Sequence, residues 1–269
     1  MTTTPTPTRG PARIELLGCP IDRVDMSGAI AFCEDVIARR GFAQHMAINA
    51  AKIVAMRCDA ELRRVIEHSD LITADGMAIV WASRVLGAPL PTRVAGIDLM
   101  HELMARAARV GWRVYVLGAR EEVLAQALVR LRERHPGLVI AGARNGYFAP
   151  EEEAAVADEI RDARADMLFV AMSSPRKELF LGRYGAGLQV PFVMGVGGAI
   201  DIAAGVTRRA PVLMQRTGLE WLFRLLQEPR RMFTRYAVTN TRFVALVARE
   251  ALRRRRPSPD VEPTDTNSA

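Results

Sequence analysis

An acidic residue and an arginine, one predicted helix apart, form the pair best suited to transfer chemistry. Asp75 follows the apolar run 71–74, and Arg93 opens the segment Arg93-Val94-Ala95-Gly96-Ile97-Asp98. A carboxylate at a strand end can act as a general base, and a guanidinium can hold a phosphate oxygen through paired hydrogen bonds. A plainer interpretation stays open here, in which Asp75-Gly76 is only a turn and Arg93 only a surface residue.

Other polar segments follow other apolar runs. Gly118 precedes a predicted helix, where backbone N–H groups could approach a phosphate. Tyr147, in the segment Asn145-Gly146-Tyr147-Phe148, could stack on a nucleobase or only close a loop onto the core. Pro175 opens a helix beside the adjacent cations Arg176 and Lys177, which would suit a diphosphate.

The segment Gly195-Val196-Gly197-Gly198-Ala199-Ile200-Asp201 is rich in glycine. Gly197 and Gly198 would let a ligand come close to the backbone, and Asp201 could accept a hydrogen bond from a base or a sugar hydroxyl. A GxGxxG fingerprint is absent from the sequence. The histidines lack ligand spacing and no DxD pair stands at a strand end, so we predict neither a metal nor another cofactor. Protein cations would then stabilise a departing diphosphate.

Strands and helices alternate in a way that would bring these segments together. We predict strands over 13–17, 44–48, 71–74, 112–117, 138–141, 167–172 and 190–194, with helical patterns between most of them. Such alternation is typical of βαβ units, so the expected fold class is α/β with a parallel sheet. Ligands of open α/β sheets bind outside the carboxyl ends of the strands, where these segments fall.

Composition and charge divide the chain into four parts. We predict that residues 1–12 and 257–269 are disordered, that 13–211 form the core and that 212–256 form a helical appendage. From Arg216 to Arg256 there are eleven arginines and three acids, a net charge of +8, whereas the rest of the chain carries −1. No apolar run is long enough to span a bilayer, and the Thr/Pro-rich segment 1–12 lacks the apolar region of a secretory signal. Three cysteines without paired spacing indicate a reduced, cytosolic chain.

The appendage is of a type that lies on an anionic membrane surface. Four of its arginines stand among apolar residues and are expected to contact membrane or diphosphate: Arg224, Arg230, Arg231 and Arg235. We expect the first helix to pack on the core and the rest to face the membrane. The alternative is an ordinary helical cap whose arginines face water.

Taken together and in this order, the motifs resemble those of the WecG/TagA/CpsF-type glycosyltransferases (glycosyltransferase family 26). The resemblance runs from about Ile14 to Val247 and rests on the segments 74–76, 93–98, 145–148, 174–178 and 195–201. The most specific block runs from Arg209-Ala210-Pro211 through Gly218-Leu219-Glu220-Trp221 to Gln227-Glu228-Pro229-Arg230-Arg231.

The resemblance implies a Rossmann-like core, flanked by helices, with an appendage that meets the membrane. It implies an inverting, metal-independent transfer of a hexose from a UDP-sugar donor to a polyprenyl-diphosphate-linked sugar acceptor. The product would serve bacterial cell-surface or exopolysaccharide synthesis, and the enzyme would be cytoplasmic and peripherally bound to the inner face of the membrane. We leave a homo-oligomer open.

The resemblance also assigns roles to single residues. Asp75 corresponds to the proposed general base, Arg93 to the essential arginine and Asn49 to the asparagine of a Thr-x-Asn segment. Tyr147 and Asp201 fall where the family holds uridine. The chain departs from the family pattern at two positions, with Ala47 in place of threonine and Lys177 in place of glutamine. The donor hexose, of the N-acetylmannosamine type or glucose, therefore stays open.

Two other classes of protein were weighed. A different nucleotide-binding Rossmann-type enzyme, such as an oxidoreductase, would need a glycine fingerprint and an acid about 20 residues further on, and the sequence has neither. A basic nucleic-acid-binding protein would leave the strand-end segments unexplained, and the arginine-rich end lacks a reader motif. Nucleic acid is therefore not an expected partner.

Overall fold

The computed structural model of the protein describes residues 11–227 and 229–255. The two segments expected to be disordered, 1–12 and 257–269, lie almost wholly outside these ranges. Eight strands are present in the described chain: β1 (Arg13–Leu16), β2 (Cys19–Asp22), β3 (Ala43–Ile48), β4 (Leu71–Ala74), β5 (Arg113–Gly118), β6 (Val139–Arg144), β7 (Met167–Ala171) and β8 (Phe192–Gly195). Six of them form one parallel sheet in the order β4-β3-β8-β7-β5-β6. This confirms the expected α/β class.

Helices connect the strands, and further helices follow the last strand. Nine belong to the part before Pro211: α1 (Met26–Ala38), α2 (Ala50–Ala55), α3 (Ala60–Glu67), α4 (Met77–Val85), α5 (Gly96–Val110), α6 (Glu121–Arg134), α7 (Glu153–Asp162), α8 (Arg176–Tyr184) and α9 (Ala199–Ala203). The appendage consists of α10 (Val212–Arg216), α11 (Glu220–Gln227) and α12 (Pro229–Arg255). Within the described ranges, no helix combines the length and the apolar character needed to cross a membrane.

The sheet is buried on both faces, which explains the continuous apolar runs of its strands. Every residue of β3 and β4 is buried, as expected where helices cover both sides of a parallel sheet. Helices α1, α5, α6 and α9 pack on one face in one apolar cluster. Helices α2, α3 and α4 cover β3 and β4 on the other face, and α7 and α8 cover β5 and β7 there.

Aspartates cap the first turns of two helices. The side chain of Asp25 accepts a hydrogen bond from the backbone N–H of Gly28 at 2.8 Å and caps α1. Asp59 caps α3 in the same way through Leu62, at 2.9 Å. Each carboxylate satisfies an N–H group that would otherwise lack a partner in the first helical turn.

The strand expected over 13–17 does not join the main sheet. It pairs with β2, which the sequence pattern did not predict, in a separate antiparallel hairpin. Asp22 holds the hairpin in place, because its carboxylate accepts from Arg13 Nε at 2.7 Å and from the backbone N–H of Ile72, in β4, at 2.7 Å. The sequence pattern did not indicate β2, because Pro20 interrupts it. The position of the hairpin also depends on the hydrogen bond from Ile72 to Asp22, which are far apart in the chain.

Helix α12 packs on the core, contrary to the expectation that only the first appendage helix would do so. Phe243 keeps 5% of its surface exposed and joins the apolar cluster of α2 and β3, with Leu246 and Val247 against it. Helix α11, in contrast, buries none of its eight residues. The second half of α12 therefore belongs to the core, since its apolar residues cover the outer side of α2, whereas α11 keeps an exposed face.

Candidate active site

The strand order places a crevice between β3 and β8. The chain that leaves β3 forms α2 on one face of the sheet, whereas the chain that leaves the neighbouring β8 forms α9 on the other. Connections that diverge in this way open a gap at the carboxyl edge of the sheet, where open α/β folds bind ligands. The segments that follow β3, β4, β7 and β8 surround this gap.

Asp75 and Arg93 meet at this edge, although a helix separates them in sequence. The backbone N–H of Asp75 donates to the carbonyl of Ile48 at 2.7 Å and so extends the pairing of β3 with β4. The N–H of Val94 donates to the carbonyl of Ala74 at 2.9 Å, which sets Arg93 next to the start of that turn. The predicted acid and arginine are therefore neighbours.

The charges around Asp75 come from two helices and one loop. Burial raises the pKa of the Asp75 carboxyl above its usual range. Arg224 of α11 opposes this increase most, Glu220 of the same helix adds to it, and Lys52 of α2 and Arg93 oppose it further. The residue keeps part of its surface accessible. A carboxyl with a raised pKa is a better proton acceptor once ionised, which suits a general base.

Arg93 contacts the appendage, which sequence reasoning did not predict. Its guanidinium forms an ion pair with Glu220 and donates to Gln215 Oε1 at 3.2 Å. Asp98 lies 3.8 Å from the same guanidinium and pairs with Arg209 at 2.7 Å. The exposed fraction of the Arg93 side chain is 15%. These ion pairs join the segment after β4 to α10 and α11.

Asn49 has a clear local role. Its side chain accepts from the backbone N–H of Lys52 at 3.1 Å and caps α2. The sequence motifs did not point to Lys52. Its ammonium nitrogen lies 3.0 Å from Glu178 Oε1. Lys177 Nζ lies 2.9 Å from the same oxygen. The structure thus places Lys177 in a buried cluster with two residues that the motifs did not single out.

The glycine segment after β8 leaves room for a ligand. Gly197 has φ +52°, a left-handed conformation that favours glycine, and a Cβ there would meet no atom within 4 Å. At Gly198 a Cβ would approach only Asp201 Oδ2, at 3.6 Å. Asp201 lies in α9 directly after this loop and has side-chain interactions of its own. The space next to Gly197 and Gly198 is therefore open.

Gly118 ends β5 and Tyr147 follows β6, the two strands on the opposite side of the sheet from β4. Gly118 has φ +129°, and a Cβ there would lie 2.4 Å from the backbone of Ala171, so close strand packing requires this glycine. Tyr147 is 71% exposed, and Arg120 contacts its hydroxyl, which raises the pKa of that arginine. The turn below it is held by the N–H of Tyr147, which donates to Asn145 Oδ1 at 3.0 Å.

Pro175 lines a cavity that is separate from the surroundings of Asp75. It precedes α8 and is exposed. The cavity has a volume of about 330 Å³ and is lined by Ser173, Pro175, Arg176, Phe180 and other residues of α7 and α8. No residue from the ends of β3, β4 or β8 lines it. Arg176 donates to the carbonyls of Gly146 and Phe148, which ties the loop after β7 to the loop after β6.

Of the four appendage arginines that were expected to contact membrane or diphosphate, the structure describes the side chain of one. Arg224 is exposed, and its positive charge acts on Asp75. Arg230, Arg231 and Arg235 belong to α12, but the positions of their side chains lie outside the described part of the structure. Their expected contact with membrane or diphosphate therefore stays a prediction.

The functional residues that the sequence did not reveal share one feature. Glu178 and Glu220 lie inside segments that carry the family resemblance, and Lys52 lies three residues after Asn49. None of the three was given a role, because each has a partner far away in the chain. Glu220 is 127 residues from Arg93, and Lys52 reaches α8 only because β3 and β7 flank β8. A signal did exist for Lys52, since it is one of only two lysines in the chain.

The fold and the site define a Rossmann-like α/β protein with one partly exposed acid, among cations, at the carboxyl edge of its sheet. The sequence profile of the glycosyl transferase WecG/TagA/CpsF family matches residues 14–257, and the chain belongs to this family. It is therefore a glycosyltransferase, with a sugar donor and an acceptor as substrates. Membership of this family replaces the oxidoreductase and nucleic-acid alternatives.

Proposed function

We propose that the enzyme transfers a hexose from a UDP-sugar to a polyprenyl-diphosphate-linked sugar, with inversion and with Asp75 as the general base. The observation that carries this proposal is the position of Asp75. Asp75 lies at the carboxyl edge of the sheet, beside the end of β3, with the pKa of its carboxyl raised by burial and with Arg224, Lys52 and Arg93 around it. An acid set among cations is suited to take a proton beside an anionic leaving group.

The reaction then proceeds in one displacement. The acceptor hydroxyl gives its proton to Asp75, and its oxygen forms a bond to the anomeric carbon of the donor. The bond from that carbon to the UDP oxygen breaks, and UDP leaves with the electron pair. Because attack and departure occur on opposite sides of the carbon, the configuration inverts. One carboxylate is enough for this step.

Side chains at the sheet edge would hold the donor and neutralise the leaving diphosphate. Tyr147 would stack on uracil, which its exposure supports, and Asp201 with the glycine loop at Gly197 and Gly198 would hold the rest of the nucleoside. Lys177 and Arg224 supply positive charge for the diphosphate, so this mechanism uses side-chain cations rather than a metal ion. The donor sugar is a hexose of the N-acetylmannosamine type or glucose.

The appendage would bring the enzyme to its acceptor. Large apolar residues stay exposed along α10, α11 and the start of α12: Val212 (61%), Leu213 (73%), Leu226 (70%) and Phe233 (65%). Exposed apolar side chains beside arginines are typical of a helix that lies in the membrane interface. The enzyme would then work from the cytoplasm at the inner face of the membrane, where it contributes to cell-surface or exopolysaccharide synthesis.

The test is the variant Asp75→Asn, assayed with a polyprenyl-diphosphate sugar in liposomes and a panel of UDP-hexoses. Turnover should fall about 10²–10⁴-fold, since the base is lost, while UDP binding measured by calorimetry should stay close to that of the wild type. Asp158→Asn is the matched control, because Asp158 lies on α7 and its side chain is 60% exposed. Substantial turnover in Asp75→Asn would exclude this residue as the base.

A further inference from the structure

Helix α4 is apolar on the side that faces away from the core. Its inner side buries Ile79 and Val80. On the outer side Trp81 keeps 47% of its surface exposed and Val85 keeps 63%. These two residues are four positions apart, so they are neighbours on one face of the helix. The α4 face, as we name this outer side, consists of four exposed residues: Ala78, Trp81, Arg84 and Val85.

The α4 face differs from the usual outer side of a surface helix, which is polar or charged. Helix α6 follows the usual pattern, with six charged residues among fourteen. Helix α4 has one charged residue among nine, Arg84. Between Asp75 and Asp98 the sequence contains two arginines, Arg84 and Arg93, and no acidic residue. An exposed apolar face in a segment with arginines and without acids is complementary to an anionic lipid surface.

The α4 face continues into the appendage. Gly218, in the turn between α10 and α11, packs against α4, because a Cβ added there would lie 2.8 Å from Trp81 Cη2 and 3.0 Å from Met77 Cβ. Leu219 follows directly and is 39% exposed, and Leu213 of α10 is 73% exposed. The exposed apolar residues that would bring the appendage to the membrane therefore reach the core at Trp81.

The α4 face also begins close to the candidate base. Asp75 immediately precedes Gly76, the residue at the N-cap of α4. Trp81 lies about 6 Å along the helix axis from Met77, the first residue of α4, at 1.5 Å per residue. Helices in a membrane interface bury their apolar side by about 5–10 Å. A bilayer in contact with Trp81 would thus lie near the acid, as transfer to a lipid-linked acceptor requires.

From these observations we propose that the α4 face is a second membrane contact, which binds an anionic lipid bilayer together with the appendage. Trp81 and Val85 enter the interface, where tryptophan is favoured because its ring is apolar and its N–H is polar. Arg84 lies at the level of the lipid headgroups. Two contacts fix the orientation of the core on the membrane. This inference rests on the proposed function, because it assumes a membrane-bound acceptor.

The experiment is sedimentation of the full-length protein with vesicles of phosphatidylcholine and phosphatidylglycerol. Val85→Gln should weaken binding about fivefold, because exposed apolar area leaves the interface. Val110→Gln is the matched control and should bind like the wild type. Val110 is 59% exposed and is the last residue of α5, as Val85 is of α4, but α5 covers the opposite face of the sheet.

Trp81 requires two variants, because it also contacts the turn at Gly218. Trp81→Phe keeps an aromatic ring against this turn and in the interface, so it should retain most of the binding. Trp81→Gln should weaken binding about tenfold, since more apolar area is lost than at Val85. If both Trp81 variants bind weakly while Val85→Gln binds normally, Trp81 only holds the appendage in place, and the proposal is wrong.

The charge of the α4 face has a separate test. Arg84→Gln should weaken binding to the anionic vesicles about fivefold and leave binding to pure phosphatidylcholine vesicles unchanged. Arg109→Gln is the matched control, because Arg109 is exposed in the last turn of α5 as Arg84 is in the last turn of α4. Equal losses in the two variants would show that only net charge matters, which contradicts a specific contact of Arg84.

The other occupant to test is a second copy of the chain. If the wild type self-associates without lipid, and Val85→Gln abolishes this association but keeps vesicle binding, the α4 face is an interface between copies and the proposal is wrong. If the wild type and all α4 variants bind vesicles equally well, the proposal fails while the proposed function stands, since the appendage then accounts for the binding. If the wild type binds no vesicles, the membrane part of the proposed function fails too.

Discussion

The ion pair between Arg93 and Glu220 predicts how firmly the appendage docks on the core. The substitution Glu220→Gln removes one charge and keeps the shape of the side chain, so Arg93 can still donate a hydrogen bond to an amide oxygen. Two other anchors of this region stay intact. Gln227 exchanges two hydrogen bonds with the backbone of Arg208, and Gly218 packs against Trp81 of α4. The expected effect is therefore a partial opening, not a loss of fold.

The magnitude follows from the burial of the pair. The exposed fractions are 15% for the Arg93 side chain and 27% for that of Glu220. Exposed ion pairs contribute about 0–1 kcal/mol, and breaking a fully buried pair costs about 3–5 kcal/mol. A partly buried pair that keeps a neutral hydrogen bond should lose about 1.4 kcal/mol, which is about tenfold in the docking equilibrium.

Hydrogen–deuterium exchange measures this equilibrium directly. In Glu220→Gln, protection of the amides in α10 and α11 should fall about tenfold, while protection of the six-stranded sheet should not change. Glu250→Gln is the matched control, because Glu250 lies in the same appendage but pairs with the exposed arginines Arg253 and Arg254. Unchanged protection of α11 in Glu220→Gln would refute the docking role.

A charge swap separates docking from chemistry. The double variant Arg93→Glu/Glu220→Arg should restore the protection of α10 and α11, because the two charges are again opposite. It should not restore turnover, since a glutamate at position 93 would repel the diphosphate of the proposed donor. Restored turnover would mean that Arg93 serves only to dock the appendage.

Three further predictions concern the membrane, the pH profile and the sheet. Leu213→Gln should lower binding to anionic liposomes about tenfold in a sedimentation assay, whereas Val129→Gln, exposed on α6, should not change it. The Asp75 carboxyl is ionised only above its raised pKa, and Arg224 lowers that pKa, so Arg224→Gln should move the acid limb of the kcat/KM profile to higher pH. An unmoved limb would remove Arg224 from the site. Gly118→Ala should destabilise the fold by about 2–4 kcal/mol in urea unfolding, because its Cβ would overlap the backbone of Ala171 at a positive φ.

Local patterns were sufficient to predict most elements of the core. Strands such as β4 are short and largely apolar runs, as expected of a strand that is buried on both faces. Caps such as Asp25 mark helix starts, because a carboxylate satisfies free N–H groups there. The hairpin of β1 with β2 was not predicted, since its place depends on Asp22 and its long-range hydrogen bond to Ile72.

The candidate site was predictable only as far as strand ends could be read from sequence. Asp75 and the glycine loop at Gly197 follow strands, and parallel strands end at one edge, so their convergence could be expected. The partners of Lys177 could not, because they depend on β8 lying between β3 and β7. Glu220 was missed for a related reason, since no local pattern states where an appendage folds back.

The burial of both lysines makes a lysine-specific protease a reporter of opening. Such a protease cuts after lysine, and this chain offers it only Lys52 and Lys177, each 9% exposed in its side chain and held in a helix. Cleavage therefore requires the sheet edge to unfold or open, in spite of the many arginines on the surface. The cleavage rate would follow the open population under native conditions, and a ligand that occupies the crevice should slow it.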